Sequence, residues 1–125
     1  MRYLLDTHAI LWYAQGNEML SRKVRNLIET SNSIYSIVSL WEIALKQQRG
    51  KLQCDLTIPE LAAFCERSGI GRLAVEPEDI ECVKTLPDIH RDPFDRMLVA
   101  QAQNRGLTLV THDGVLPQYP VPTIW

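Results

Sequence analysis

Short apolar runs separated by stretches of helical period set the tightest limit on what this chain can become. Tyr3-Leu4-Leu5 is continuously apolar, as a strand buried on both faces must be. Ile34 to Val38, Leu73 to Val75 and Leu107 to Val110 read as further strands, rich in β-branched and aromatic residues. Between them lie helical stretches. Ala9 to Ala14 follows the cap Asp6-Thr7, and Val24, Leu27 and Ile28 follow the cap Ser21. Trp41 to Arg49 stops at Gly50, and Pro59 opens a helix that ends at Ser68-Gly69. Pro77 starts a helix carrying Ile80 and Val83, and Pro93 starts the longest one, ending at Gly106. After Pro117, Pro120 and Pro122 the end, Thr123-Ile124-Trp125, reads as an edge strand. Strands alternating with helices imply an α/β fold: a mostly parallel central sheet with helices on both faces, in three layers.

That architecture gives four acidic residues a common address. Asp6 ends the first run, Glu42 lies in Trp41 to Arg49, Asp95 sits in the first turn after Pro93, and Asp113 follows the last long run. In an alternating fold, strand ends and the helix starts that follow them share one sheet edge, where ligands bind. Carboxylates gathered there repel by roughly 3–4 kcal/mol per close pair at an effective dielectric near 20. A cation offsets that cost, and an all-oxygen donor set suits Mg²⁺ or Mn²⁺.

Each acid also has a purely structural use. Asp6 can cap its helix. Ser39-Leu40-Trp41-Glu42 has the form of a capping box, with Lys46 an ion-pair partner one turn on. Asp92 can cap the helix at Pro93, and Asp113 can be a turn residue. His8, His90 and His112 stand near these acids without the spacing of a zinc motif. Of the three, His90 is set to touch substrate phosphate or adjust a neighbouring carboxylate. Arg91 and Arg96 flank Asp92 and Asp95, and pairing with those acids is favoured over phosphate contact. Trp12, Tyr13, Trp41 and Phe94 fall where core or helix contacts are expected, ahead of a platform for bases.

The totals narrow the class. A chain of 125 residues, 1–125, fits one domain. Net charge is −2, against the broad basic face of most duplex-DNA binders. Cys54, Cys65 and Cys82 form no paired motif and read as free thiols of a reducing compartment. With no signal peptide and no apolar run near the roughly 20 residues of a membrane span, the expected location is cytoplasmic, with no membrane partner. Dinucleotide, P-loop and serine-hydrolase signatures are missing from the sequence.

Leu4-Leu5-Asp6-Thr7-His8, Ser39-Leu40-Trp41-Glu42-Ile43-Ala44, His90-Arg91-Asp92-Pro93-Phe94-Asp95-Arg96 and Thr111-His112-Asp113 together resemble the PIN-domain ribonucleases, above all VapC-type toxins of toxin–antitoxin pairs. The resemblance spans essentially the whole chain. It implies a PIN-like fold and a metal-dependent endoribonuclease. Asp6, Glu42, Asp95 and Asp113 would be the catalytic quartet around Mg²⁺ or Mn²⁺. Thr7, Ser39, His90, Asp92, Arg96 and Thr111 would orient ligands, waters or substrate. RNA, a cognate antitoxin and a second copy of the chain are the implied partners. Two other readings stand beside it: a metal-dependent phosphatase of small phosphoesters, for which the Asp-x-Asp form is missing, and a non-catalytic PIN-like binding module.

Overall fold

The computed structural model describes residues 2–125. Five parallel strands form one sheet: β1 (Arg2–Leu5), β2 (Asn32–Ser36), β3 (Gly71–Leu73), β4 (Thr108–Val110) and β5 (Thr123–Ile124). Their order is β3-β2-β1-β4-β5. Around them lie α1 (Thr7–Gln15), α2 (Arg22–Thr30), α3 (Ile37–Gln48), α4 (Ile58–Arg67), α5 (Pro77–Val83) and α6 (Pro93–Arg105).

The period of two in β1 explains the layering. Leu4 and Leu5 are both fully buried but belong to different cores. Leu5 packs with Ile10, Val24, Ile28, Tyr35 and Leu61 on the side of α1, α2 and α4. Leu4 packs with Ile34, Leu98, Leu109 and Leu116 on the side of α6. Successive side chains of a strand point to opposite faces, so one short apolar run nucleates both cores. Leu40 and Ile43 of α3 join the first core and Val38 joins the second. This helix therefore enters the interior end-on, as its apolar first half and polar second half suggest.

Two boundaries move from their expected places. Strand β2 ends at Ser36, and Ser36 rather than Ser39 caps α3, its hydroxyl accepting from the Val38 N–H at 3.2 Å. The capping box read in Ser39 to Glu42 does not form; Ile37 and Val38 are helical despite their β-branching. That shift places Glu42 in the second turn of α3 instead of at its mouth. Strand β3 is Gly71–Leu73 instead of Leu73 to Val75. Register decides this: Ile34 pairs with Gly71 and Ser36 with Leu73. A Cβ on Gly71 would lie 3.2 Å from Ile34 Cγ2, so the bare glycine lets the edge strand close on β2.

All strands being parallel, their carboxyl ends share one edge. From β1 the chain winds outward to β2 and β3, then returns to β4 on the other side of β1. The switch in winding direction falls between β1 and β4, the place where open α/β sheets form a crevice. Leu5 is in register with Val110, and the Asp6 N–H donates to the Val110 carbonyl at 3.0 Å. Asp6 and the Thr111–Asp113 loop therefore emerge side by side.

Candidate active site

At that crevice a cavity of about 260 Å³ is lined by Asp6, Glu42, Asp92, Asp95 and Asp113, with Thr7, His8, Trp12, Lys46 and His112. The four acids singled out in the sequence are thus brought together from β1, α3, α6 and the loop after β4.

Each acid is fixed by its own local structure. Asp6 is 6% exposed and caps α1, its Oδ1 accepting from the Ala9 N–H at 2.8 Å. Burial raises its pKa, against the easing effect of the Thr111 hydroxyl and the Ala9 N–H. Glu42 is 4% exposed. Its Oε1 accepts from the Thr7 hydroxyl at 2.6 Å, and its Oε2 pairs with Lys46 Nζ at 2.7 Å. The Ser39 hydroxyl, wholly buried, lies 3.1 Å from that of Thr7. Thr7 and Ser39 thereby hold Glu42 through the shared first turns of α1 and α3.

Asp92 caps α6, its Oδ1 accepting from the N–H groups of Phe94 (2.8 Å) and Asp95 (3.1 Å). Asp95, the third residue of α6, has its pKa pushed up to about 7, first by burial and then by the charges of Asp92 and Glu42, with His90 opposing. Asp113 accepts from the Val115 N–H at 2.7 Å through Oδ1, while its own N–H donates to the Thr111 hydroxyl at 3.1 Å.

His90 bridges two acids: its Nε2 lies 3.3 Å from Asp95 Oδ2 and 3.5 Å from Asp113 Oδ2. These three groups are close enough to hold an ion. The His90 Nδ1 accepts the Asp92 N–H at 3.1 Å, which fixes the ring against both acids while Nε2 stays within ion-pair distance of each. Asp6 and Glu42 line the same cavity, with the two Glu42 oxygens engaged by Thr7 and Lys46.

Arg96 is not at this site. Its guanidinium donates to the Val83 and Pro87 carbonyls, both at 3.0 Å, and approaches the Tyr119 hydroxyl at 3.3 Å. Pairing with the neighbouring acids, expected for Arg91 and Arg96, is not made. Arg96 instead satisfies carbonyls of the α5–α6 connection, and both arginines line a separate apolar groove with Trp41 and Phe94. Trp41, expected inside, is 61% exposed and rests edge-on to Phe94 at 5.1 Å. Ile80 of α5 is 56% exposed.

The cavity also holds residues the sequence reading undervalued. Lys46 faces it because a residue four after Glu42 falls on the same helix face; burial would lower its pKa, but Glu42, Asp92 and Asp95 hold it raised. Trp12, His8 and His112 line it too. Their signal was proximity to Asp6 and Asp113 in sequence.

A family model described as the PIN domain matches residues 3–121. Ribonuclease VapC22 of Mycobacterium tuberculosis (strain ATCC 25618 / H37Rv) is 27% identical over 128 aligned positions, covering 98% of this chain and 97% of that protein. Among solved structures, VapBC2 from Rickettsia felis bound to a DNA fragment from its promoter superposes with a TM-score of 0.73 at 16% identity, covering 100% of this chain and 99% of the other. VapC20 of Mycobacterium tuberculosis, described as a Sarcin-Ricin loop cleaving toxin, gives 0.60 at 18% identity over 92% of each chain. Both structural likenesses are likenesses of fold.

Proposed function

The chain belongs to the PIN-domain family, and from that premise we propose that it is a metal-dependent endoribonuclease hydrolysing RNA phosphodiester bonds, the toxin of a toxin–antitoxin pair. One observation carries the proposal: carboxylates from four distant segments, Asp6, Glu42, Asp95 and Asp113, line a single small cavity. Like charges so placed stand against the fold's own stability, and a bound cation is what makes the arrangement useful. The likeness to Ribonuclease VapC22 points the same way.

The metal-holding residues are Asp6, Asp95 and Asp113, with Glu42 completing the set; Mg²⁺ and Mn²⁺ both suit their oxygens. Bound there, the ion would supply Lewis acidity to the scissile phosphate and acidify an attacking water. The chain's own residues supply position and charge. Thr7 and Ser39 keep Glu42 directed into the cavity, where it is placed to take a proton. His90 stands between Asp95 and Asp113, its Nε2 within ion-pair distance of both. Thr111 sets the turn that presents Asp113. Lys46, in the cavity wall, pairs with Glu42 and offsets its charge.

The partners follow from the resemblance to VapC-type toxins: a cognate antitoxin over the acidic cavity, where an arginine would answer its charge, and a second copy of the chain. No helix among the described residues is long and apolar enough to cross a membrane. The test is incubation of pure protein with a panel of structured RNAs, with Mg²⁺ and with chelator, beside the Asp95→Asn variant. Cleavage that needs Mg²⁺ and fails in the variant is expected. Cleavage surviving both chelator and Asp95→Asn would refute the assignment.

A further inference from the structure

Trp12 stands apart from the other aromatic residues. It contributes to the core on the α1 side, as a partly buried ring, yet it also lines the carboxylate cavity and the adjoining cleft of about 490 Å³ that runs along α1 past Gln15 and Asn17. His8 shares both walls. The His8 ring lies 5.2 Å from that of Trp12, and the His112 ring 6.0 Å from it. Trp125 supports the group from β5's end, 5.8 Å from Trp12 and 5.1 Å from His112. Both histidines are exposed. A ring held only for core packing needs no exposed polar rings against it.

The placement follows from the strands. Asp6 and Asp113 come from the ends of β1 and β4, and His8 and His112 lie within two residues of them. The junctions that aim the acids therefore also aim these rings. Charge shows what the rings are for. The chain carries a net −2, and the cavity's lysine, Lys46, is already paired with Glu42. Basic side chains supply most of the affinity in ordinary nucleic-acid binding. Here the wall beside the acids offers flat π surfaces, which hold bases irrespective of sequence.

We propose that Trp12, with His8 and His112 packed against it, is the platform on which an unpaired nucleobase stacks while its neighbouring phosphate enters the carboxylate cavity. The inference rests on the ribonuclease reading above and names the side chains that seat the base next to the scissile phosphate. A base in a duplex is already stacked and cannot reach the ring. A cavity of about 260 Å³ accepts a phosphate and its sugar, and the seam formed by His8 and Trp12 leads the strand into the next cleft.

The test compares binding of a labelled, unstructured RNA of about ten nucleotides with binding of its duplex, by fluorescence anisotropy in Mg²⁺. Wild-type protein, which keeps the metal-holding acids, serves as the parent, and the length of the RNA is checked on a gel after each reading so that turnover is seen. Adding Trp12→Leu should weaken single-strand binding roughly tenfold or more, and Trp12→Phe should restore most of it. The exposed His8→Ala and His112→Ala, which leave the core untouched, should each give smaller losses. The duplex should bind less tightly than the single strand. If Trp12→Leu, still folded by thermal melting, binds RNA as its parent does, or the duplex binds as well as the single strand, the platform is refuted. Cleavage by the wild-type protein is scored separately. Its failure would end the ribonuclease reading, while the binding comparison would still decide the platform.

Discussion

At the scale of single residues, the site is a set of carboxylates each held by a donor of its own. Thr7 is the plainest case. Its hydroxyl donates to the buried Glu42 at 2.6 Å, so Thr7→Val should cost about 1–3 kcal/mol in urea denaturation, the penalty of an unsatisfied buried acceptor. Asp95 gives a prediction with a sign. Its carboxyl ordinarily titrates at 3.8 and in the fold at about 7. Its contribution to stability is therefore fully present below about pH 4 and is lost as pH rises through about 7. In chelator, melting temperatures of wild type should fall relative to Asp95→Asn between pH 5 and pH 8, and Mg²⁺ at pH 8 should raise the wild type selectively. Parallel pH curves would contradict this. The four acids were legible in the sequence because each stands beside a recognisable strand end or helix start. Arg96 was not. Its two flanking acids suggested ion pairs, but the carbonyls it satisfies belong to a connection whose path only the packed chain defines.

At the scale of elements, the junction between β2 and α3 decides where Glu42 points. The cap is Ser36, not Ser39. Ser36→Ala should lose about 1 kcal/mol of stability through fraying of α3 and should also misplace Glu42, lowering RNA cleavage. Ser39 fits the capping-box pattern as well as Ser36 fits a cap, and local pattern does not say where sheet pairing ends. A second junction binds α5 to α6. Arg105 makes two contacts to the fully buried Asp79, one of them at 3.0 Å from Nη2 to Oδ2, and these hold the Asp79 carboxyl below its usual range although burial alone would raise it. Arg105→Met leaves that carboxylate without its cation, with the Glu76 N–H and the Asn104 amide as its remaining donors, and should destabilise by about 3–5 kcal/mol. The circular-dichroism melt that reads this should show one transition at lower temperature. Local pattern does not reveal this pair, since its members are far apart in the chain and lie on different helices.

At the scale of the whole molecule, topology turns scattered acids into a site. The return of the chain from β3 to β4 across β1 makes the crevice, and the parallel order sends every strand's carboxyl end to it. This much followed from the alternation of apolar runs and helical stretches, because short strands buried on both faces leave few other arrangements. What did not follow was the fate of the large aromatic residues. Trp12 and Trp41 look alike as apolar residues at helical spacing, yet one lines the acidic cavity and the other lies exposed beside Phe94. Which face of a helix meets solvent depends on how the layers pack. The account as a whole stands or falls on whether the gathered carboxylates hold a divalent ion. Calorimetric titration of Mg²⁺ and Mn²⁺ into metal-free protein at pH 8 measures it directly. Saturable binding in wild type, abolished or greatly weakened in Asp95→Asn with the fold intact, is the predicted result; no binding of either ion, or equal binding by the variant, would contradict the account.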